Sequence, residues 1–122
     1  MALTVNHPLL KEQRVMCYYA DVGTAGSAFI TAPFRGKIVK MGSVIYGALG
    51  TADAGISSKI NGTAITGGTW TITQSGSAAG DVDTAVPTAA NLVSEDDHIE
   101  FITDGASSNT VPVMYFAVIR AA

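Results

Sequence analysis

Few groups in this sequence could do chemistry. Glu95-Asp96-Asp97, with Asp81, Asp83 and Asp104, forms its one acidic concentration. Hard cations such as calcium take about six to eight oxygens from a shaped loop. The alternating Asp/Asn spacing closed by a Glu that marks such a loop is missing. A solvated turn ahead of a strand starting at His98 accounts for these residues, with Asp97 accepting backbone N–H groups there. His7 and His98 lie far apart, and no G-x-S-x-G run frames a nucleophile for either. Cys17 is the only cysteine, which excludes an intrachain disulfide and a zinc motif of paired thiolates. Within the strand-like run Arg14-Val-Met-Cys-Tyr-Tyr19 it reads as a buried, inert thiol. Gly67-Gly68 and Gly76 to Gly80 are turn material, because a phosphate cradle needs a helix after it. The expectation is a protein that is not an enzyme and carries no cofactor or metal.

Composition narrows the class further. Hydrophobic residues make up 48% of the 122 and charged ones 14%, against about 25% charged in an ordinary soluble domain. Ala, Gly, Ser and Thr take the place of charge, giving a weakly polar surface that is easily desolvated against neighbours. A net charge of −3 with seven scattered Lys and Arg argues against nucleic acid, which demands a basic stripe. No stretch approaches the roughly 20 apolar residues of a membrane span. Residues 1–10 show no secretory pattern, so the expected compartment is the cytoplasm in which the chain is made.

These sparse groups sit on a chain of short strands. Residues 1–13 read as an extended arm, since Leu3, Val5, Leu9 and Leu10 are wasteful on a loose tail and Pro8 holds His7 out of helical angles. A β-sandwich domain, residues 14–122, follows. Arg14 to Tyr19 and Val111 to Ile119 are apolar on both faces and should each be covered on two sides. Ser27 to Thr31 stops at Pro33. Lys37 to Tyr46 is long, and Gly42 inside it predicts a bulge or bend. Asn61-Gly62 between Ser57–Ile60 and Thr63–Ile65 predicts a type I′ hairpin. Thr69 to Thr73 places Trp70 and Ile72 on one face, in the core. His98 to Thr103 sets Ile99 and Phe101 opposite His98 and Glu100. Ser75 to Ser94 lacks periodicity and reads as a crossing between sheets, or as a brief helical turn near Thr88 to Leu92. The fold class is all-β: a small jelly-roll-like sandwich or barrel of seven or eight antiparallel strands.

Four stretches carry a likeness to a known group. They are Ser27-Ala-Phe-Ile-Thr-Ala-Pro-Phe-Arg-Gly-Lys-Ile38, Lys59-Ile-Asn-Gly-Thr63, Ser77-Ala-Ala-Gly-Asp-Val-Asp83 and Asp104-Gly-Ala-Ser-Ser-Asn-Thr-Val-Pro112. Together they resemble the small head decoration, or cement, proteins of tailed bacteriophages. That resemblance implies a virion protein on the capsid exterior, bound to the major capsid protein and to itself as a homodimer or homotrimer. It transfers no catalytic residue. Leu9, Leu10, Lys11 and Arg14 are the expected partner-binding residues, because the arm concentrates apolar side chains beside cations. The competing reading is a carbohydrate- or receptor-binding β module of a phage tail fibre. It predicts that Trp70, or tyrosines such as Tyr18 or Tyr19, lie exposed beside a groove.

Overall fold

The computed structural model describes residues 11–122. Ten strands follow in order: β1 (Glu12–Tyr19), β2 (Gly26–Thr31), β3 (Gly36–Ile45), β4 (Ala54–Ile60), β5 (Thr63–Ala64), β6 (Trp70–Ile72), β7 (Val82–Ala85), β8 (Leu92–Val93), β9 (His98–Thr103) and β10 (Val113–Ala121). They form two five-stranded antiparallel sheets. The first runs β1-β10-β3-β7 with β8 also on β3, and the second runs β2-β9-β4-β5 with β6 also on β4. First pairs with last, second with second-last, and the middle strands pair among themselves. This nested order is that of a jelly roll, built as an open sandwich and not as a closed barrel.

Local chemistry sets the elements. Asn61 and Gly62 take positive φ, 48° and 87°, so Lys59 pairs with Ala64 and Ile60 with Thr63 across the predicted type I′ turn. The bulge in β3 falls at Val39 and not at Gly42, since Ile119 pairs with Ile38 and Val118 with Lys40. Gly42 has a different reason to be glycine. A Cβ there would meet the Phe116 ring at 2.6 Å. The segment 75–94 holds no helical turn among its residues; β7 and β8 both pair with β3.

The core is a cross-sheet aromatic column. Tyr115 of the first sheet stacks on Phe101 of the second, with centroids 5.0 Å apart. Trp70 meets Phe101 edge-on at 6.4 Å and donates its Nε1 proton to Ser43 Oγ at 2.9 Å. Ile38, Met41, Ile45, Ile72, Ile99, Val113 and Ile119 fill the space around it. Three buried polar side chains are tied to backbone: Ser58 Oγ donates to the Gly68 carbonyl, Thr103 Oγ1 to that of Val22 and Asn91 Nδ2 to that of Ile38.

One expectation fails in an informative way. β1 and β10 are covered on one side only. Val15, Cys17 and Tyr19 pack against the core, while Arg14, Met16 and Tyr18 are exposed on the other side. Nothing in residues 11–122 lies over that second face.

Candidate functional site

The outer faces of the two sheets differ sharply. The second sheet shows solvent Ser57 and Lys59 on β4, Thr71 on β6, and His98 and Glu100 on β9, the polar outside usual for an antiparallel sheet. The first sheet does not follow that rule. Its register sets Tyr18, Met114, Val44 and Val82 side by side in one row. The next row is Met16, Phe116, Gly42 and Thr84, and the third holds Arg14, Val118 and Lys40. Tyr46 extends the face at one end, where its ring meets that of Tyr18 edge-on at 6.1 Å. Val86 and Leu92 continue the outward alternation. Seven large apolar side chains are exposed among the described residues, and six lie on this face: Met16, Tyr18, Tyr46, Val82, Val86 and Leu92, with Phe29 alone on the other sheet.

Phe116 shows how the face is built. It points outward yet is only 3% exposed, because its ring lies down over Gly42 and the Arg14 guanidinium covers it at 4.3 Å from the centroid. The result is a smooth floor between β1 and β7.

Charge on this face is gathered by the fold. All seven Lys and Arg lie within residues 11–122, and five of them, Lys11, Arg14, Lys37, Lys40 and Arg120, converge where β1 and β3 begin and β10 ends. The Val39 bulge is essential here. Residues 37 and 40 are an odd number apart, and the extra residue puts both on the outer side. Arg35 lies next to them, and with Lys37, Leu92, Val93 and Arg120 it lines a hollow of about 500 Å³. Glu12 is the counter-charge in direct contact, paired with Arg120. The opposite end of the sandwich, formed by the β1–β2, β3–β4, β6–β7 and β9–β10 connections, carries Asp21, Asp53, Asp81 and Asp104, with Asp83 just inside β7 and no cation. Sequence reading saw the cations as scattered; only strand register shows them as a cluster.

Of the expected partner-binding residues, Lys11 and Arg14 are exposed at the basic end of this face. Leu9 and Leu10 lie outside the described residues, as does the remainder of the arm to residue 10. The acidic groups serve turns. Asp97 accepts the Ser94 N–H, as its position before β9 predicts, and this holds its carboxyl below the ordinary range. Asp21 is lowered by the Thr24 hydroxyl and by the N–H groups of Gly23 and Val111. Asp83 is pushed up by partial burial and by Asp81. Among the described residues no three His, Cys, Asp or Glu side chains come together as metal ligands would. Burial pushes the half-buried Cys17 thiol up to about 11, which keeps it unreactive. Trp70 is buried, so no stacking platform exists there. Tyr19 is half-buried and donates to the Thr24 carbonyl, leaving Tyr18 and Tyr46 as the exposed pair.

No family model matches the chain, and no curated protein matches it either. By shape it is similar to a protein in the acidic stable capsid structure of Helicobacter pylori bacteriophage KHP30, with a TM-score of 0.50 and 11% identity over 89% of this chain and 92% of that one. It is also similar to the CBM36-1 domain of a multidomain xylanase from the hindgut metagenome of Trinervitermes trinervoides, with a TM-score of 0.53 and 15% identity over 92% of this chain and 98% of that domain. At these identities the likeness is one of fold.

Proposed function

We propose that this protein is a structural virion component, which decorates and stabilises the outer surface of an icosahedral phage capsid by bridging major capsid protein subunits. The observation that carries the reading is the outer face of the first sheet, an apolar floor with a basic end that residues 11–122 leave uncovered. Exposed apolar patches of this kind mark protein contacts. The similarity in fold to a phage capsid chain of comparable length supports the same assignment.

The mechanism is thermodynamic. A protein that binds the assembled shell and not its separated subunits stabilises the shell by mass action. Once one contact is made, a second contact on the neighbouring subunit forms at high effective concentration. The arm with Leu9 and Leu10, continuing into Lys11 and Arg14, is the proposed capsid contact, with the cations steering toward an acidic shell surface.

Co-sedimentation with expanded, empty capsids tests this. Binding of the whole chain, lost on deleting residues 2–10 and weakened by Lys11→Glu with Arg14→Glu, is the expected result. Unchanged binding after the deletion removes the arm from the proposal. The exposed Tyr18–Tyr46 pair and the fold shared with a carbohydrate-binding module favour one alternative, a glycan- or receptor-binding module of a tail fibre. A glycan array read beside the capsid assay separates the two. Glycan binding without capsid binding would favour the alternative.

A further inference from the structure

We infer that the outer face of the first sheet is covered by the same face of a second copy, the two sheets packing front to front about a two-fold axis that lies between them and runs across the strands. The inference stands on the face itself and not on the capsid reading.

Size selects the occupant. The face spans four strands at about 4.8 Å each and the six steps from Lys40 to Tyr46 at about 3.3 Å each, or about 400 Å² of plane. A strip of chain as short as residues 1–10, even fully extended, covers about one or two strand widths of that. A second copy covers all of it. Side-chain relief raises the buried area toward the lower bound of specific protein contacts. Two sheets stacked this way sit about 10 Å apart, the spacing already used inside the sandwich.

Charge selects the direction. The third row carries Arg14 and Lys40, while the face ends on the opposite side in Tyr46 and holds no cation there; Asp81 at that end opposes Ile45, on the inward side of the register. An axis along the strands would lay the basic row of one copy over the basic row of the other. An axis across the strands, passing between the Tyr18 and Met16 rows, sets each row against its complement. Tyr18, Met114, Val44 and Val82 then interdigitate with Met16, Phe116, Gly42 and Thr84 of the second copy. Arg14 and Lys40 come to lie at the cation-free Tyr46 end, with Lys40 over the Tyr46 ring of the second copy. The same patch serves both copies, so the contact closes as a dimer.

Sedimentation velocity of the whole chain from about 1 to 500 µM tests this. The chain of 12.5 kDa is expected to pass to twice that mass with a Kd of about 10–100 µM, the range appropriate to so small a contact. Met16→Asp and Val82→Asp alter exposed positions that the core does not use, and each should raise the Kd at least tenfold. Phe29→Asp, on the other sheet, should leave it unchanged. Lys40→Glu should weaken the dimer. A monomer at every concentration overturns the inference, as does a dimer indifferent to Val82→Asp or broken by Phe29→Asp. Tightening by Lys40→Glu overturns the crossing direction. If residues 1–10 are the cover, deleting residues 2–10 turns a monomer into a dimer, and that result also overturns it. Loss of dimerisation with capsid co-sedimentation intact would leave the capsid proposal standing.

Discussion

At the scale of single residues, the polar groups that matter are those whose partners change with burial or pH. Tyr115 is fully buried, and its hydroxyl has no hydrogen-bond partner among the described residues. Its ring does the work, stacked on Phe101. Tyr115→Phe therefore removes an unsatisfied group and keeps the stack, so urea denaturation should show stability unchanged or raised by about 1 kcal/mol. A loss of more than that would mean the hydroxyl has a partner. Asp21 works the other way. Its carboxylate accepts the Thr24 hydroxyl and two backbone N–H groups, and its titration is depressed below the ordinary 3.8. A depressed carboxylate stabilises the fold above the unfolded value, and that contribution fades as pH falls through the folded value. Asp21→Asn should accordingly melt below the wild type at pH 7, with the gap closing below about pH 3.8. A gap independent of pH would assign the effect to geometry alone. Cys17, half-buried with a raised thiol, should resist thiol reagents in the folded state.

At the scale of elements, pattern rules worked where one strand decides its own geometry and failed where two strands decide together. The Asn61-Gly62 turn, the inward Trp70 and Ile72, and the alternation of β9 were all legible because turn chemistry and period two are local. β7 and β8 were not, since Val82–Ala85 and Leu92–Val93 are too short to show a period and exist by pairing with β3. Gly42 was legible as a special position with the wrong cause attached. It is glycine because Phe116 lies across it, a fact that resides in the β3–β10 register. Gly42→Ala drives a Cβ into the Phe116 ring and the Asp83 carbonyl. It should destabilise by about 1–3 kcal/mol and lift the ring out of the face. Gly62→Ala should also destabilise, by about 1–2 kcal/mol, through its positive φ alone and with open space around it. Pairing Gly42→Ala with Phe116→Ala separates the two mechanisms. The second change should recover part of the loss at Gly42 and none at Gly62.

At the scale of the whole molecule, the same register logic explains why the candidate surface was half hidden in the sequence. The two-sided apolar character of Arg14 to Tyr19 and Val111 to Ile119 was readable, and it demanded a cover on each side, of which residues 11–122 supply one. That residues 11–122 supply only one cover, and that the cations gather at one end of the bare side, depend on a jelly-roll order no local pattern encodes. That order also governs folding. β10 is the last strand in the chain, yet it lies between β1 and β3 and contributes Val113, Tyr115, Ala117 and Ile119 to the core. Until it docks, β1 has no partner in its sheet and the aromatic column lacks its centre. Contacts between the two ends of a chain close slowly, as sandwiches with non-local pairing do, over about milliseconds to seconds. A chain ending at Thr110 should then show no cooperative thermal transition, instead of a smaller fold with a lower melting point. Addition of a synthetic peptide spanning residues 111–122 should restore a transition whose midpoint rises with peptide concentration. A cooperative melt of the truncated chain alone would mean that the second sheet, with β3, holds a core without the strand that joins the chain's ends.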